Sequence, residues 1–153
     1  TLDGNNHSIN GIYVNTSESK IGFFKILSQT SSIQNIKLEN VNINGKSEVG
    51  GLAAYNYSKN IQNCSVSGNI SGNTNVGGLV GVSEGLTSNI LNCSVSADVT
   101  GDFTVGGVVA LNKSVIKYCG KSGSTTARVT ENDFSMVGGI VGELQRRLFI
   151  FLC

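Results

Sequence analysis

Residues Ile61–Gly81 read "IQNCSVSGNISGNTNVGGLVG", and residues Ile90–Ala110 read "ILNCSVSADVTGDFTVGGVVA". The second segment repeats the first with conservative changes, and the rest of the chain keeps the same beat. Val-Gly-Gly triplets end at Gly51, Gly78, Gly107 and Gly139, spaced by 27, 29 and 32 residues. A weaker lead copy, "KIGFF", places Gly22 another 29 residues upstream of Gly51. A second marker runs in phase with the first: "IQNI" at Ile33–Ile36, "IQNC" at Ile61–Cys64, "ILNC" at Ile90–Cys93 and "IKYC" at Ile116–Cys119. Self-similarity at a fixed period of this size marks a solenoid, propeller or array.

Within one copy the hydrophobic period is two. In "CSVSGNI", Cys64, Val66 and Ile70 point one way and Ser65, Ser67 and Asn69 the other, which is strand alternation. Ile61 and Cys64 are both apolar yet an odd step apart, so the alternation breaks between them. Asn63 is the expected corner because Asn enters the left-handed region at little cost. Asn35 and Asn92 occupy the same place, and Tyr118 departs from it. The Gly77–Gly78 pair marks a second corner on the strength of glycine's conformational freedom, and "GNISG" leading to "NTNV" marks a third, looser one. Three short strands and three corners per copy make one rung of a coil. A rung cannot bury its apolar face alone, but stacked rungs share one core.

The expectation is therefore an all-β, right-handed parallel β-helix of about five rungs with 27–32-residue repeats. Ile36, Cys64, Cys93 and Cys119 would form one interior ladder, Leu38, Val66 and Val95 a second, and Ile43, Ile70 and Val99 a third. The residue three places after each Gly-Gly pair is small (Ala54, Gly81, Ala110, Gly142), as a crowded interior corner requires.

Composition agrees. Charged residues make up only 14% and glycine is abundant at 20 residues, with no proline or tryptophan, which suits short strands joined by tight turns. Net charge is +1 with the basic residues scattered, so the basic stripe of a nucleic-acid binder is missing. No run approaches the ~18 apolar residues of a membrane helix. The chain opens on Thr1 in mid-pattern and reads as a fragment of something longer. After Gly142 the composition changes to "ELQRRLFIFLC", so residues 1–142 read as the repeat region and 143–153 as an atypical tail, either a cap on the last rung or a frame slip or truncation.

The tetrads Gly78-Leu79-Val80-Gly81 and Gly139-Ile140-Val141-Gly142, with degenerate copies at Gly51–Ala54 and Gly107–Ala110, resemble the GLUG repeat. The flanking "IxNC" and "GNxSG" segments and the lead-in "LDGNNHSINGIYV" (Leu2–Val14) match as well. The resemblance covers roughly Leu2 to Gly142. It implies an extracellular or cell-surface bacterial protein: an adhesin-like protein, or the non-catalytic N-terminal region of a secreted zinc metalloprotease that cleaves immunoglobulin A. No catalytic residues come with the resemblance. What it implies is a non-catalytic adhesive or spacer rod whose partner is a host protein or a glycan, with no cofactor.

The residues themselves offer little chemistry. His7 is the one histidine and has no acid at metalloprotease spacing. Aligning "VTGDFTV" (Val99–Val105) with "VTENDFSMV" (Val129–Val137) puts Asp102 beside Asp133 and Phe103 beside Phe134. Solvated turn aspartates are the plain reading of that pair. A calcium site, or the acid and nucleophile of a retaining glycosidase in a carbohydrate-active β-helix, are the alternatives. Cys64, Cys93 and Cys119 share one alternation phase and read as packing residues, with a Cys64–Cys93 disulfide as the alternative. Asn-x-Ser/Thr triplets begin at Asn6, Asn15, Asn56, Asn63, Asn69, Asn92 and Asn112. In so Asn- and Ser-rich a chain they read as compositional noise, with Asn63 and Asn92 as corner residues.

Overall fold

The computed structural model describes residues 1–128 and 135–145. Every regular element in them is a β-strand, and every strand pairing is parallel. No helix among the described residues is long and apolar enough to cross a membrane. The strands build a parallel β-solenoid of about five turns with a spacing near 29 residues.

Each of the three middle turns has four strands, one more than the hydrophobic pattern indicates. In the third turn they are Asn60–Gln62, Ser65–Ser71, Thr74–Gly77 and Val80–Ser83. Equivalent strands of successive turns stack into four sheets. The first sheet runs through Leu2–Asp3, Ser32–Gln34, Asn60–Gln62, Asn89–Leu91 and Val115–Lys117. The second is the broadest and is centred on Lys37–Asn44, Ser65–Ser71 and Ser94–Gly101. Its interior positions are the predicted ladders: Leu38, Val66 and Val95 lie opposite one another, as do Ile43, Ile70 and Val99. All six are essentially inaccessible to solvent. The third sheet carries Val49, Val76 and Val105, and the fourth carries Ala53–Asn56, Val80–Ser83, Val109–Asn112 and Val141–Leu144.

The last turn corrects one alignment. Val99 pairs with Thr125 and Gly101 with Ala127, whereas Thr104 pairs with Met136. The register therefore does not set Val99 against Val129; the extra length of this repeat falls after Ala127. Asp133 and Phe134 lie outside the described residues, as does the tail from Arg146 onward.

The corners show why particular residues recur. At the asparagine corner, Asn35, Asn63 and Asn92 have φ of 55°, 52° and 51°, and Tyr118 holds the same left-handed conformation at 56°. The chain geometry is thus kept even where the residue type is not. The residue that follows turns inward: Ile36, Cys64, Cys93 and Cys119 are all buried.

The Gly-Gly corner has a different cause from the one expected. None of its glycines is left-handed. A Cβ on Gly51 would sit 2.6 Å from the Gly78 carbonyl oxygen and 2.6 Å from Val66 Cγ1, and one on Gly78 would sit 2.6 Å from Val95 Cγ1. Glycine is required for space between stacked rungs and core side chains. The small residues three places on follow from the same crowding. A Cβ on Gly81 would lie 2.9 Å from the Ala54 carbonyl oxygen and 3.0 Å from the Val49 nitrogen. The fourth sheet therefore lies almost backbone to backbone against the third. Leu79 and Val80 are both fully buried, so this segment has no solvent face.

The fourth corner, unseen in the sequence, is lined by polar side chains that never reach water. Asn56, Ser58, Ser83, Ser88, Asn112 and Ser114 are all buried. The Asn56 amide donates to Ser83 Oγ at 2.9 Å, and Asn56 Oδ1 accepts from the Ser58 backbone N–H at 2.9 Å and from the Ser58 hydroxyl. One rung pair further on, Asn112 Oδ1 accepts from Ser114 N at 3.2 Å and its amide donates to the Ser114 carbonyl at 2.8 Å. Ser83 and Ser114 hydroxyls bond to each other, and the Ser88 hydroxyl donates to the Ser58 carbonyl. These are Asx-turns stacked along the rod. "Asn-Tyr-Ser" and "Asn-Lys-Ser" are thus turn sequences with a structural task, and their asparagines are too buried to be glycosylated.

Candidate functional site: a polar groove along the rod

Where the second sheet turns into the third, the three middle rungs each place a glycine at the bend. Gly45, Gly72 and Gly101 face apolar side chains of the interior: an added Cβ would come within 2.8 Å of Ile21 Cγ1, Val49 Cγ2 and Val105 Cγ2 respectively. With the inward side full and no side chain on the bend, the outer surface there is backbone and lies low. The residues on either side rise above it. On one side stands the column Asn15, Asn44, Ser71, whose registers are continuous. On the other stand Lys46, Asn73 and Asp102. The result is an open groove of about 910 Å³ that crosses the rungs from Asn15–Ser17 to Arg128.

Its walls are tied rung to rung. The Asn44 amide donates to Asn15 Oδ1 and the Ser71 hydroxyl donates to Asn44 Oδ1, both at 2.9 Å. Opposite, the Asn73 amide donates to Asp102 Oδ2 at 2.6 Å, and Arg128 Nε donates to Asp102 Oδ1 at 2.7 Å. The Arg128 guanidinium also reaches the Gly72 carbonyl. The Lys46 backbone N–H donates to the Glu18 carbonyl at 2.8 Å, but its ammonium has no hydrogen-bond or ion-pair partner among the described residues.

Asp102, one half of the proposed carboxylate pair, is therefore engaged by an arginine and an amide. The signal that would have pointed to Arg128 was hidden by the shifted alignment of the last repeat. No group of three His, Cys, Asp or Glu suited to a metal ion occurs among the described residues.

The cysteines sit apart from the groove, inside the asparagine corner. Cys64, Cys93 and Cys119 are free thiols. Each sulfur faces a backbone carbonyl two residues back: Gln62 at 3.3 Å, Leu91 at 3.3 Å and Lys117 at 3.4 Å. Hydrogen bonds with the flanking Cys119 and Cys64 thiols, then burial, hold the Cys93 thiol well above its ordinary value. Hydrogen bonding with Cys93 in turn holds the Cys64 and Cys119 thiols below their ordinary value, but all three are buried in the core, and an activated nucleophile needs access as well as a lowered value.

With the geometry in hand, the relatives can be placed. The sequence model of the GLUG motif matches residues 45–71 and 72–100. These segments are two successive turns of the solenoid, each cut at the groove glycine. Residues 45–100 are thus a GLUG-repeat region. Halomucin from Haloquadratum walsbyi (strain DSM 16790 / HBSQ001) is 37% identical over 82 residues, which is 53% of this chain and 1% of that protein. Among solved structures, a Bacteroides ovatus protein named as a candidate immunoglobulin A1 protease aligns with 97% of this chain and 48% of its own, with a TM-score of 0.73 and 23% identity. At that identity the likeness lies in the fold. The chain thus spans a small fraction of one relative and about half of the other.

Proposed function

We propose that this region is a non-catalytic rod of a surface or secreted protein, serving as an adhesive or spacer element. The observation that carries the reading is where the recurrent residues go. The recurrent Gly, Asn-corner and apolar residues pack or turn, and the outer face of the second sheet carries rung-by-rung Ser and Asn columns such as Ser65–Ser94, Ser67–Ser96 and Asn42–Asn69. Such a surface suits display to a host protein or glycan rather than bond-breaking. GLUG repeats and the two relatives support an extracellular setting. The test is to display the chain on inert beads and measure adherence to arrays of host glycans and matrix proteins. Adherence that a face-specific substitution abolishes supports an adhesive role. A chain that is extended in scattering but adheres to nothing supports a spacer.

A second reading, the non-catalytic portion of a secreted zinc metalloprotease, is favoured by the near-complete alignment with the Bacteroides ovatus protein. Reading the coding sequence of the parent protein for an HExxH segment separates the two.

A further inference from the structure

We infer that the groove between the second and third sheets is the binding site for a linear acidic polysaccharide, with Lys46 as the residue that recognises its carboxylate or sulfate groups. This deepens the adhesive reading and rests on it, because it names the partner class of that surface.

Three features of the groove converge. The first is its direction. Its residues come from five consecutive rungs: Asn15 to Ser17, Asn44 to Lys46, Asn73, Asp102 and Arg128. Rungs stack ~4.8 Å apart, a step comparable with the length of one pyranose unit in an extended chain. A polymer lying along the axis meets polar side chains at each unit, whereas a compact ligand would engage one or two rungs only.

The second is the chemistry of the walls. They offer amides, hydroxyls, backbone and charged side chains, with no aromatic or aliphatic side chain among the lining residues. A peptide partner docks through apolar anchors in pockets, and single-stranded nucleic acid stacks its bases on aromatic rings over a cationic track. Neither has a foothold here. Hydroxyl-rich sugars match donors and acceptors of this kind.

The third is charge. Asp102 is neutralised by Arg128 and capped by Asn73. Of the two basic residues lining the groove, Lys46 is the one whose side chain has no partner among the described residues. The groove therefore presents uncompensated positive charge at one rung. A lysine is a flexible point charge rather than a planar fork, so it suits anions spaced along a chain more than one fixed bidentate carboxylate. The groove is shallow and open, so each sugar contributes little and affinity comes from several units bound at once.

The experiment uses the 153-residue chain and oligogalacturonates long enough to span the groove, with their methyl esters as neutral probes on the same backbone. Titration is followed by amide chemical shifts, which also report the fold of each variant. The acid oligomers should shift the amides of Asn44, Lys46 and Asn73. Their methyl esters should bind roughly tenfold more weakly or worse. Lys46→Glu should lose roughly tenfold or more, while Lys46→Arg stays within about threefold of wild type. Lys25→Glu, the same charge change on the exposed face of the fourth sheet, should leave binding unchanged.

Equal binding of acid and ester, full binding by Lys46→Glu, tighter binding of a single-stranded oligonucleotide of matched length, or no binding at ~1 mM each overturns the proposal. Adherence of the displayed chain to a neutral glycan or a protein, with no response to oligogalacturonate, would leave the adhesive reading standing and sink this one alone.

Discussion

Replacing Asn56 by alanine tests whether the buried polar corner holds the rungs together. Asn56 is fully buried and makes three hydrogen bonds: its amide to Ser83 Oγ, and its carbonyl oxygen to the backbone N–H and hydroxyl of Ser58. Ser58 and Ser83 are equally buried. Alanine would leave the Ser58 N–H without an acceptor, at about 1–3 kcal/mol, and would forfeit two further neutral hydrogen bonds worth about 1 kcal/mol each at most. Serine hydroxyls can turn to other partners, which returns part of this, so the expected loss is about 3 kcal/mol. With a urea slope of ~2 kcal/mol/M, the midpoint should fall by about 1.5 M. Circular dichroism in the far ultraviolet follows the transition. Amide exchange at Ser58 and Asn89 then shows whether the loss is concentrated at rungs sharing the corner, since solenoid stability is a sum over neighbours. The control is Asn44→Ala, which removes comparable bonds on the outer face of the second sheet and should cost no more than about 0.5 kcal/mol. If Asn56→Ala moves the midpoint no more than Asn44→Ala does, the polar corner is filler and the reasoning fails.

The other corners and surfaces give sharper, smaller effects. Tyr118 is 57% exposed and left-handed where three sister rungs carry asparagine, so Tyr118→Asn should raise stability by about 1 kcal/mol, and a fall in the melting temperature would contradict that. Asp98 accepts hydrogen bonds from the Ser124 backbone N–H and hydroxyl, which hold its carboxyl below its ordinary 3.8. Its contribution is therefore present above that value and lost as the pH falls through the lower folded one. Asp98→Asn should flatten the acid limb of the stability–pH curve below about pH 4, and an unchanged limb would show that the carboxylate is not responsible. In a Cys153→Ser background, Cys64, Cys93 and Cys119 should resist alkylation in the native protein and all react after denaturation without reductant. Incomplete reaction there would reveal a disulfide.

Much of the architecture could be read from residue order because solenoid folds repeat their constraints. Ile61 and Cys64, an odd step apart and both apolar, announce a corner, and Asn63 between them names its conformation. The ladders through Leu38, Val66 and Val95 follow from alternation alone. The Gly-Gly corner was located correctly for a reason the structure replaces: contacts with the next rung, which no single-rung reasoning can weigh, exclude a Cβ. The fourth corner stayed invisible because its buried residues are Asn and Ser, the same types that mark exposed loops. Burial of a polar side chain depends on partners one rung away, and sequence within a rung does not display them. The groove was hidden for a related reason. Asp102 was noticed, but its neighbours came from an alignment anchored on Val129, whereas the strand register puts Thr125 opposite Val99. Lys46, whose ammonium is unpaired among the described residues, carries no motif at all, and only the column in which it stands gives it meaning.

Stacking by nearest neighbours also has a mechanical side. Parallel rungs are held edge to edge by backbone hydrogen bonds and by core side chains that each touch only adjacent turns. A pull along the axis therefore loads the junctions between turns in series, and the weakest end turn yields before the rest. Each turn that peels away frees about 29 residues, the interval between Gly78 and Gly107. Fully extended, that length is roughly 100 Å, against the ~4.8 Å it occupied in the rod. Under tension such a stalk pays out slack in near-equal increments while the remaining turns keep their shape. A single-molecule force trace would record this as a regular sawtooth rather than one cooperative rupture.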